Sequence, residues 1–569
     1  MPASLEQRVL DLLCRLPRGG LATAHTLICD TLHYEPAGMC LTRAGWPEAA
    51  RQALAADPLL LAATETDDGP FDVIYACVPV DRSGPRERLS REAQHLAAGA
   101  LLQDHPHALL LFSDPGERRW ELVSARPGDG CRPLLRHLAV GQGLGATARR
   151  VAMLDLASLP GYQQGTLSAA RVAQRHAEAF DADALGREFL ERFAALHERV
   201  RHEIAAALRP VDAGAHAQAL LDRLLVLYFL QKGGWLEGGA TFLHDRFVAH
   251  HAGAPGAFTY HREVIYPLTR ALAGWLARAP GADLAPPRAD LPVSNGTYAA
   301  LLYELFEQYD LMLDQDTAFD QAVAIGPEML GKVFESLVLS RERDGDVDRR
   351  RATGSYYTPR PVVAFMCREA LAEYLAGEAG LARSRASRLL SLPPWGMMSE
   401  EEREWLAGAF SGAQTQHLRR ALLSVRACDP AAGSGAFLIG LLQAISDAVE
   451  ALDRCAAGEA APIEAARRYD TRREIVERCL HGVDLQPGAL RACALRLWLS
   501  LLAVCEPPGQ AAPEGADDEG TALRIPAHLL PDLSRTLREG DGLLERLGNG
   551  YGVPFRWRDD FRGVFEEKG

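Results

Sequence analysis

Three apolar runs in the first 160 residues, Phe71-Asp-Val-Ile-Tyr-Ala-Cys-Val78, Ala108-Leu-Leu-Leu-Phe112 and Trp120-Glu-Leu-Val123, have the length and β-branched or aromatic content of buried strands. A helical pattern fills Arg88 to Leu102 between the first two, so this region is expected to be an α/β domain. From Asp181 to Arg278 the period changes to that of helices, most clearly over Phe189 to Leu208 and Ala217 to Leu230. The passage Ala279 to Arg288, rich in Gly and Pro, reads as a loop or hinge. Tyr303 to Leu337 is helical at both ends, and its lone aromatic and Met residues are assigned to packing.

The last third alternates. A helix is predicted over Val362 to Leu375, a polar helix-forming insertion over Ala382 to Arg420, a short buried strand over Leu422 to Cys428 and a helix over Phe437 to Leu452. A second strand over His481 to Leu485 is followed by a helix from Pro487, where proline suits the first helical position. Strand, Gly-rich turn, helix, strand, helix is the first half of a doubly wound sheet. Glu506 to Gly520 reads as a loop. The expected fold class is α/β, with boundaries at 1–160, 181–278, 298–345 (a helical connector) and 352–569.

The chain of 569 residues is 48% hydrophobic, enough for several filled cores. Its most apolar stretches are shorter than the ~20 residues of a membrane span, and the N-terminus has no basic start followed by an apolar run. A cytoplasmic location is expected. The eleven cysteines are scattered, without Cys-x-x-Cys or zinc spacing, and are expected to be mostly buried free thiols, with no metal site. Net charge is −14, from 61 Lys and Arg against 75 Asp and Glu, which argues against a chain given over to gripping phosphate. Local contact through Arg349-Arg-Arg351 and Arg360 stays open beside a plain solvated arginine cluster.

Candidate chemistry gathers in three turns. In Asp429-Pro-Ala-Ala-Gly-Ser-Gly435, two glycines let backbone N–H groups approach a ligand at the positive end of the next helix. That suits the methionine end of S-adenosylmethionine (SAM), with Asp429 holding its ammonium; the third glycine of the dinucleotide fingerprint is missing. Asp484, ending the next strand, can accept both ribose hydroxyls, or can simply cap the Pro487 helix. Asp541, in Glu-Gly-Asp-Gly, can accept the adenine amino group or sit in a surface turn. Order across all three favours the cofactor reading.

With these motifs, with Gly354-Ser-Tyr-Tyr-Thr-Pro359, and with the stretches Phe306 to Leu337 and His481 to Leu499, the chain from about 181 to 569 resembles the N6-adenine DNA methyltransferases of the large fused restriction-modification or phage-defence kind. The resemblance implies a Rossmann-like SAM-dependent sheet, double-stranded DNA as substrate, and cofactor contacts at Tyr357, Thr358, Pro359, Asp429, Pro430, Gly433, Gly435, Asp484 and Asp541. Ala432 replaces the cysteine more usual in that loop. The family's Asn/Asp-Pro-Pro-Tyr/Phe loop, which binds the adenine amino group and stacks on the flipped base, has no counterpart here, and neither does the target-recognition domain. No catalytic residue is therefore assigned. The chain is expected to bind SAM and transfer nothing alone, being truncated or completed by a second polypeptide. The alternative is a non-catalytic SAM-binding scaffold or split subunit that assembles on DNA with defence partners.

The strand, helix, strand, strand order of residues 1–160 resembles the PD-(D/E)xK nuclease core, which needs a carboxylate followed by Glu-x-Lys to hold magnesium. Asp72 is present, but Ala76-Cys77-Val78 supplies neither carboxylate nor lysine. The domain is read as an inactive nuclease-like relic or a platform for DNA or a partner. An Asp72-dependent endonuclease is the remaining possibility.

Overall fold

The computed structural model describes residues 3–81, 87–126, 133–141, 143–237, 239–251, 257–276, 285–313, 320–333, 358–457, 464–507, 523, 525–542, 555–562 and 564. The fold is mixed α/β and divides into two compact units, the first of 1–189 with 302–311 and 315–325, the second of the remainder. Among the described residues, no helix is long and apolar enough to cross a membrane.

The first unit is a seven-stranded mixed sheet of β1 (Pro36–Cys40), β2 (Leu59–Thr64), β3 (Phe71–Cys77), β4 (Ala108–Ser113), β5 (Trp120–Arg126), β6 (Leu134–Val140) and β7 (Asp320–Ala322), in that spatial order. Helix α1 (Leu5–His25) precedes it. Helix α2 (Arg91–Asp104) crosses between the parallel strands β3 and β4, with Ser90 capping its N-terminus. Its Ala93, Ala97 and Leu101 lie against Ile74, Ala76, Leu110 and Phe112 of the sheet. Two features depart from the expectations. The edge strand β1 is fully exposed and contains Pro36 and Gly38, so it gives no strand-like apolar signal. Strand β7 comes from within the expected 298–345 connector and pairs parallel to β6, Leu135 opposite Asp320, so that part of the connector completes this sheet.

Asp72, the candidate nuclease acid, is buried at the start of β3, where His105 Nδ1 lies 2.7 Å from its Oδ2. It is an internal partner of the His105 ring. No cluster of three metal-ligating side chains occurs among the described residues.

A second buried carboxylate holds this unit together. Arg91 Nη1 donates to Glu121 Oε2 at 2.6 Å, Gln94 Nε2 donates to the same atom at 3.0 Å, and His137 Nδ1 lies 3.2 Å away. Burial alone would raise the Glu121 pKa, but Arg91 and His137 outweigh it and hold the carboxyl down at about 2. A folded value below the unfolded one means stability that is present above about pH 4.3 and lost as pH falls toward 2. Glu121→Gln is expected to cost about 3 kcal/mol by leaving Arg91 without its counter-charge. Hydrogen exchange over β5 and β6 checks this: protection should fall with acid in the parent protein and be low and pH-independent in the variant.

The second unit carries the predicted alternation. The helical stretch is present as Ala182–Ala205, which runs into this unit, and as Pro210–Lys232, Phe242–His251 and Tyr266–Leu276 within it. Helix α3 (Arg360–Glu378) is followed by the insertion, which folds as α4 (Arg383–Leu390), α5 (Glu400–Ala409) and α6 (Gly412–Ser424). Capping boxes at Ser399/Glu402 and Ser411/Gln414 start the last two. Its arginines are used internally: Arg388 stacks 4.3 Å over Trp405 and Arg385 5.4 Å over Phe410.

A three-stranded parallel sheet then forms from β8 (Ala427–Asp429), β9 (Leu480–Asp484) and β10 (Leu537–Glu539), in the order 8-9-10. The strand predicted over Leu422 to Cys428 begins only at Ala427. Leu422 and Leu423 are buried on the last turn of α6, whose apolar face outcompetes extension. Helix α7 (Ala436–Ala457) follows the Gly-rich turn and buries Leu438, Leu442, Ile445, Val449 and Leu452 at helical spacing. Helix α8 (Pro487–Leu502) is buried on all sides from Leu490 onward, which is why its sequence shows little amphipathic contrast.

Cysteine burial is uneven. Cys367, Cys479, Cys493 and Cys505 are buried as expected, whereas Cys14, Cys40 and Cys428 are exposed.

Candidate cofactor site

The carboxyl ends of β8, β9 and β10 bring the three acidic turns together. Asp429 closes β8, Asp484 closes β9 and Asp541 lies two residues past β10. In open α/β sheets, ligands bind outside the carboxyl ends of the strands, where the turns are free to carry polar groups.

Asp484 organises this end of the sheet. Its Oδ2 accepts the Gly433 N–H at 2.8 Å and its Oδ1 accepts the Gln486 N–H at 2.8 Å, while its carbonyl accepts Gly540 N–H at 3.0 Å. One residue thus ties the Gly-rich turn, the start of α8 and the β10 turn. The bond to Gln486 is a local Asx-type turn and not the helix cap weighed for this acid: Gln486 itself is the N-cap of α8, without a side-chain cap bond. The bond to Gly433 was not foreseen, and each carboxylate oxygen retains a second acceptor position.

The turn itself is shaped by its glycines. Gly433 has φ +54° and Gly435 φ +83°, both in the left-handed region. A Cβ at Gly435 would sit 2.5 Å from Cys493 Sγ, so α8 packs directly on this backbone. At Gly433 a Cβ would meet only the Ala431 carbonyl oxygen, at 4.0 Å, leaving open space beside the turn. Gly542, next to Asp541, would place a Cβ 2.9 Å from the Pro430 carbonyl oxygen, and Trp557 Nε1 donates to the Gly542 carbonyl at 3.1 Å. The Asp541 turn therefore abuts Asp429-Pro430.

Asp429 is the electrostatically unusual member. Its Oδ1 accepts the Ala431 N–H at 3.1 Å, while its Oδ2 is buried with no hydrogen-bond partner. Burial raises its pKa, the Ala431 N–H opposes that, and the Asp484 charge raises it further. A desolvated carboxylate beside a second one favours a cationic guest, and SAM brings an ammonium and a sulfonium. The donor set fits such a group: acceptors at Asp429, Asp484 and Asp541 around a turn of tightly apposed backbone.

The remaining predicted contacts flank this cluster. Thr358 is half-buried, and Pro359 is exposed and caps α3. The first two turns of α3 pack on α7, where Val363 and Cys367 fill the space a Cβ at Gly440 would occupy. Tyr357 and Arg349-Arg-Arg351 lie outside the described residues. Arg360 is half-exposed and its Nη2 lies 2.6 Å from Glu328 Oε1. Glu328 and Gly331 fall within Phe306 to Leu337, and Arg496 within His481 to Leu499, stretches that share in the resemblance without any site role being assigned to these three residues.

No protein-family model matches the chain. Over 290 residues it is 23% identical to a Methanocaldococcus jannaschii protein that bears the name of a type II restriction enzyme and methyltransferase. The match takes in 50% of this chain and 21% of the relative, so the chain spans about a fifth of that protein. A solved DrdV–DNA complex aligns with 94% of this chain and 40% of its own, at 12% identity and a TM-score of 0.23, too low to equate the two folds.

Proposed function

We propose that this chain is the cofactor-holding portion of an N6-adenine-specific DNA methyltransferase in a restriction-modification or phage-defence system. The observation that carries the reading is the convergence of Asp429, Asp484 and Asp541 on a left-handed Gly-x-Gly turn, with Asp429 Oδ2 buried and unpartnered. The relative's name supports methyl transfer and restriction-modification in general terms; adenine N6 as acceptor, and duplex DNA as substrate, rest on the resemblance in sequence. Bound SAM would supply an electrophilic methyl group. The protein's part is to hold it, with Asp429 toward the ammonium, Gly433 and Gly435 along the methionine end, Thr358 and Tyr357 toward the carboxylate, Asp484 on the ribose and Asp541 on the adenine amino group.

The loop that binds the target adenine is assigned to a further polypeptide segment, since these 569 residues hold no Asn- or Asp-Pro-Pro sequence. The first unit is assigned a platform role, because Asp72 is committed to His105. Purified protein incubated with methyl-labelled SAM and duplex DNA tests the proposal. Saturable SAM binding without transfer is expected, with N6-methyladenine appearing once a polypeptide carrying such a loop is added. Transfer by the chain alone, or no binding at all, would contradict it.

A further inference from the structure

The helical turn of residues 328–333 touches both flanks of the site through side chains that the cofactor contacts do not use. Gly331 lies against Ser434, the residue between the two turn glycines: a Cβ there would sit 2.4 Å from Ser434 Oγ and 2.6 Å from its Cβ. Three residues earlier, on the same helix face, Glu328 holds Arg360, which follows Thr358-Pro359 directly and opens α3. From the other side Arg496 of α8, itself buried, donates from Nη1 to the Ser434 carbonyl at 2.6 Å and approaches Ser434 Oγ at 3.4 Å. Burial raises the Glu328 pKa, and the Arg360 and Arg496 charges outweigh it and lower it.

We propose that Glu328, Gly331 and Arg496 form a positioning brace that sets the spacing between the Thr358-Pro359 segment and the Gly433–Gly435 turn, and so selects ligands carrying an aminobutyrate tail. The proposal rests on the cofactor reading above. Arg360 is partly exposed, so its ion pair adds little to stability on its own. Its value is geometric, since it ties the start of α3 to the helix that buttresses Ser434. Asp484 and Asp541, by contrast, are carried by β9 and by the turn after β10, and the brace contacts run to Ser434 and Arg360 rather than to either acid; Asp484 meets the turn at the Gly433 N–H. The brace therefore acts on one end of the ligand.

Binding of two ligands to the whole chain separates this from a general packing role. SAM carries the tail on a sulfonium; 5′-methylthioadenosine keeps adenine and ribose, has a neutral thioether in place of the sulfonium, and lacks the tail. Glu328→Gln removes charge and Gly331→Ala adds bulk, so the two perturb the brace by different means. Each is expected to weaken SAM binding by about fivefold or more while leaving methylthioadenosine within about twofold of the parent. Equal weakening of both ligands, or no change in SAM affinity for either variant, would overturn the brace. Asp484→Ala is the control for the site itself: it should weaken both ligands. If it weakens neither, the cofactor reading fails and the brace falls with it.

Discussion

Replacing Asp484 with alanine is expected to reduce SAM affinity by about 100-fold, or about 2.7 kcal/mol, and to lower the stability of the second unit by about 2 kcal/mol. Both effects come from one carboxylate. Its two oxygens hold the N–H groups of Gly433 and Gln486, each at 2.8 Å, so its loss frees the Gly-rich turn and the entry to α8 together. Hydrogen bonds to an ionised acceptor contribute about 1.5–3 kcal/mol each, and the half-buried setting here argues for the lower end. Ligand binding suffers further because the proposed ribose acceptor is gone. Asp484→Asn retains one acceptor oxygen and should fall between, near tenfold in affinity. Isothermal titration with SAM and thermal melting of the three proteins give the comparison, and unchanged affinity in the alanine variant would remove the ribose assignment.

Gly435→Ala is expected to be more damaging to the fold, at about 2–4 kcal/mol, and to abolish measurable SAM binding. Two costs combine. A side chain at φ +83° is strained by about 1–2 kcal/mol, and the new Cβ would lie 2.5 Å from Cys493 Sγ and 3.1 Å from its Cβ, forcing α8 away from the turn. The added Cβ strikes a helix buried on all sides, so the strain has little room to relax. Cys493→Ala in the same protein removes the sulfur and should recover part of the loss, leaving the backbone strain. The opposite contrast holds at Gly433, where a Cβ enters open space. Gly433→Ala should cost only the backbone term in stability, yet it should obstruct the ligand.

The parts of this architecture that were legible in the sequence share one property: the signal is local. Strand ends at Asp429 and Asp484, the helix start at Pro487 and the glycines at 433 and 435 each report on a few neighbouring residues. Where the reading slipped, packing at a distance decided the outcome. Leu422 and Leu423 look like the start of a strand but close α6, because a helical face was available to bury them. Residues 320–322 carry no strong strand signal and gain their conformation by pairing with β6, nearly two hundred residues earlier in the chain. The contact of His105 with Asp72, between residues 33 positions apart, likewise left no local trace in the sequence.

The same distinction runs through the site. The acids proposed to meet the ligand are adjacent to recognisable turns, so residue type and order made them candidates. The contacts that hold those turns in place join residues far apart, Ser434 and Arg496 by 62 positions, and no local pattern reports them. Asp484 shows both behaviours: its role at the strand end was readable, whereas its bond to the Gly433 N–H exists only because β8 and β9 are neighbours.

The central claim is that the carboxyl ends of β8, β9 and β10 hold SAM. Equilibrium binding of labelled SAM to the purified chain tests it most directly. The account predicts saturable binding at one site per chain, displaced by S-adenosylhomocysteine and left in place by NAD. Absence of saturable binding, or displacement by NAD as effective as by S-adenosylhomocysteine, would contradict it.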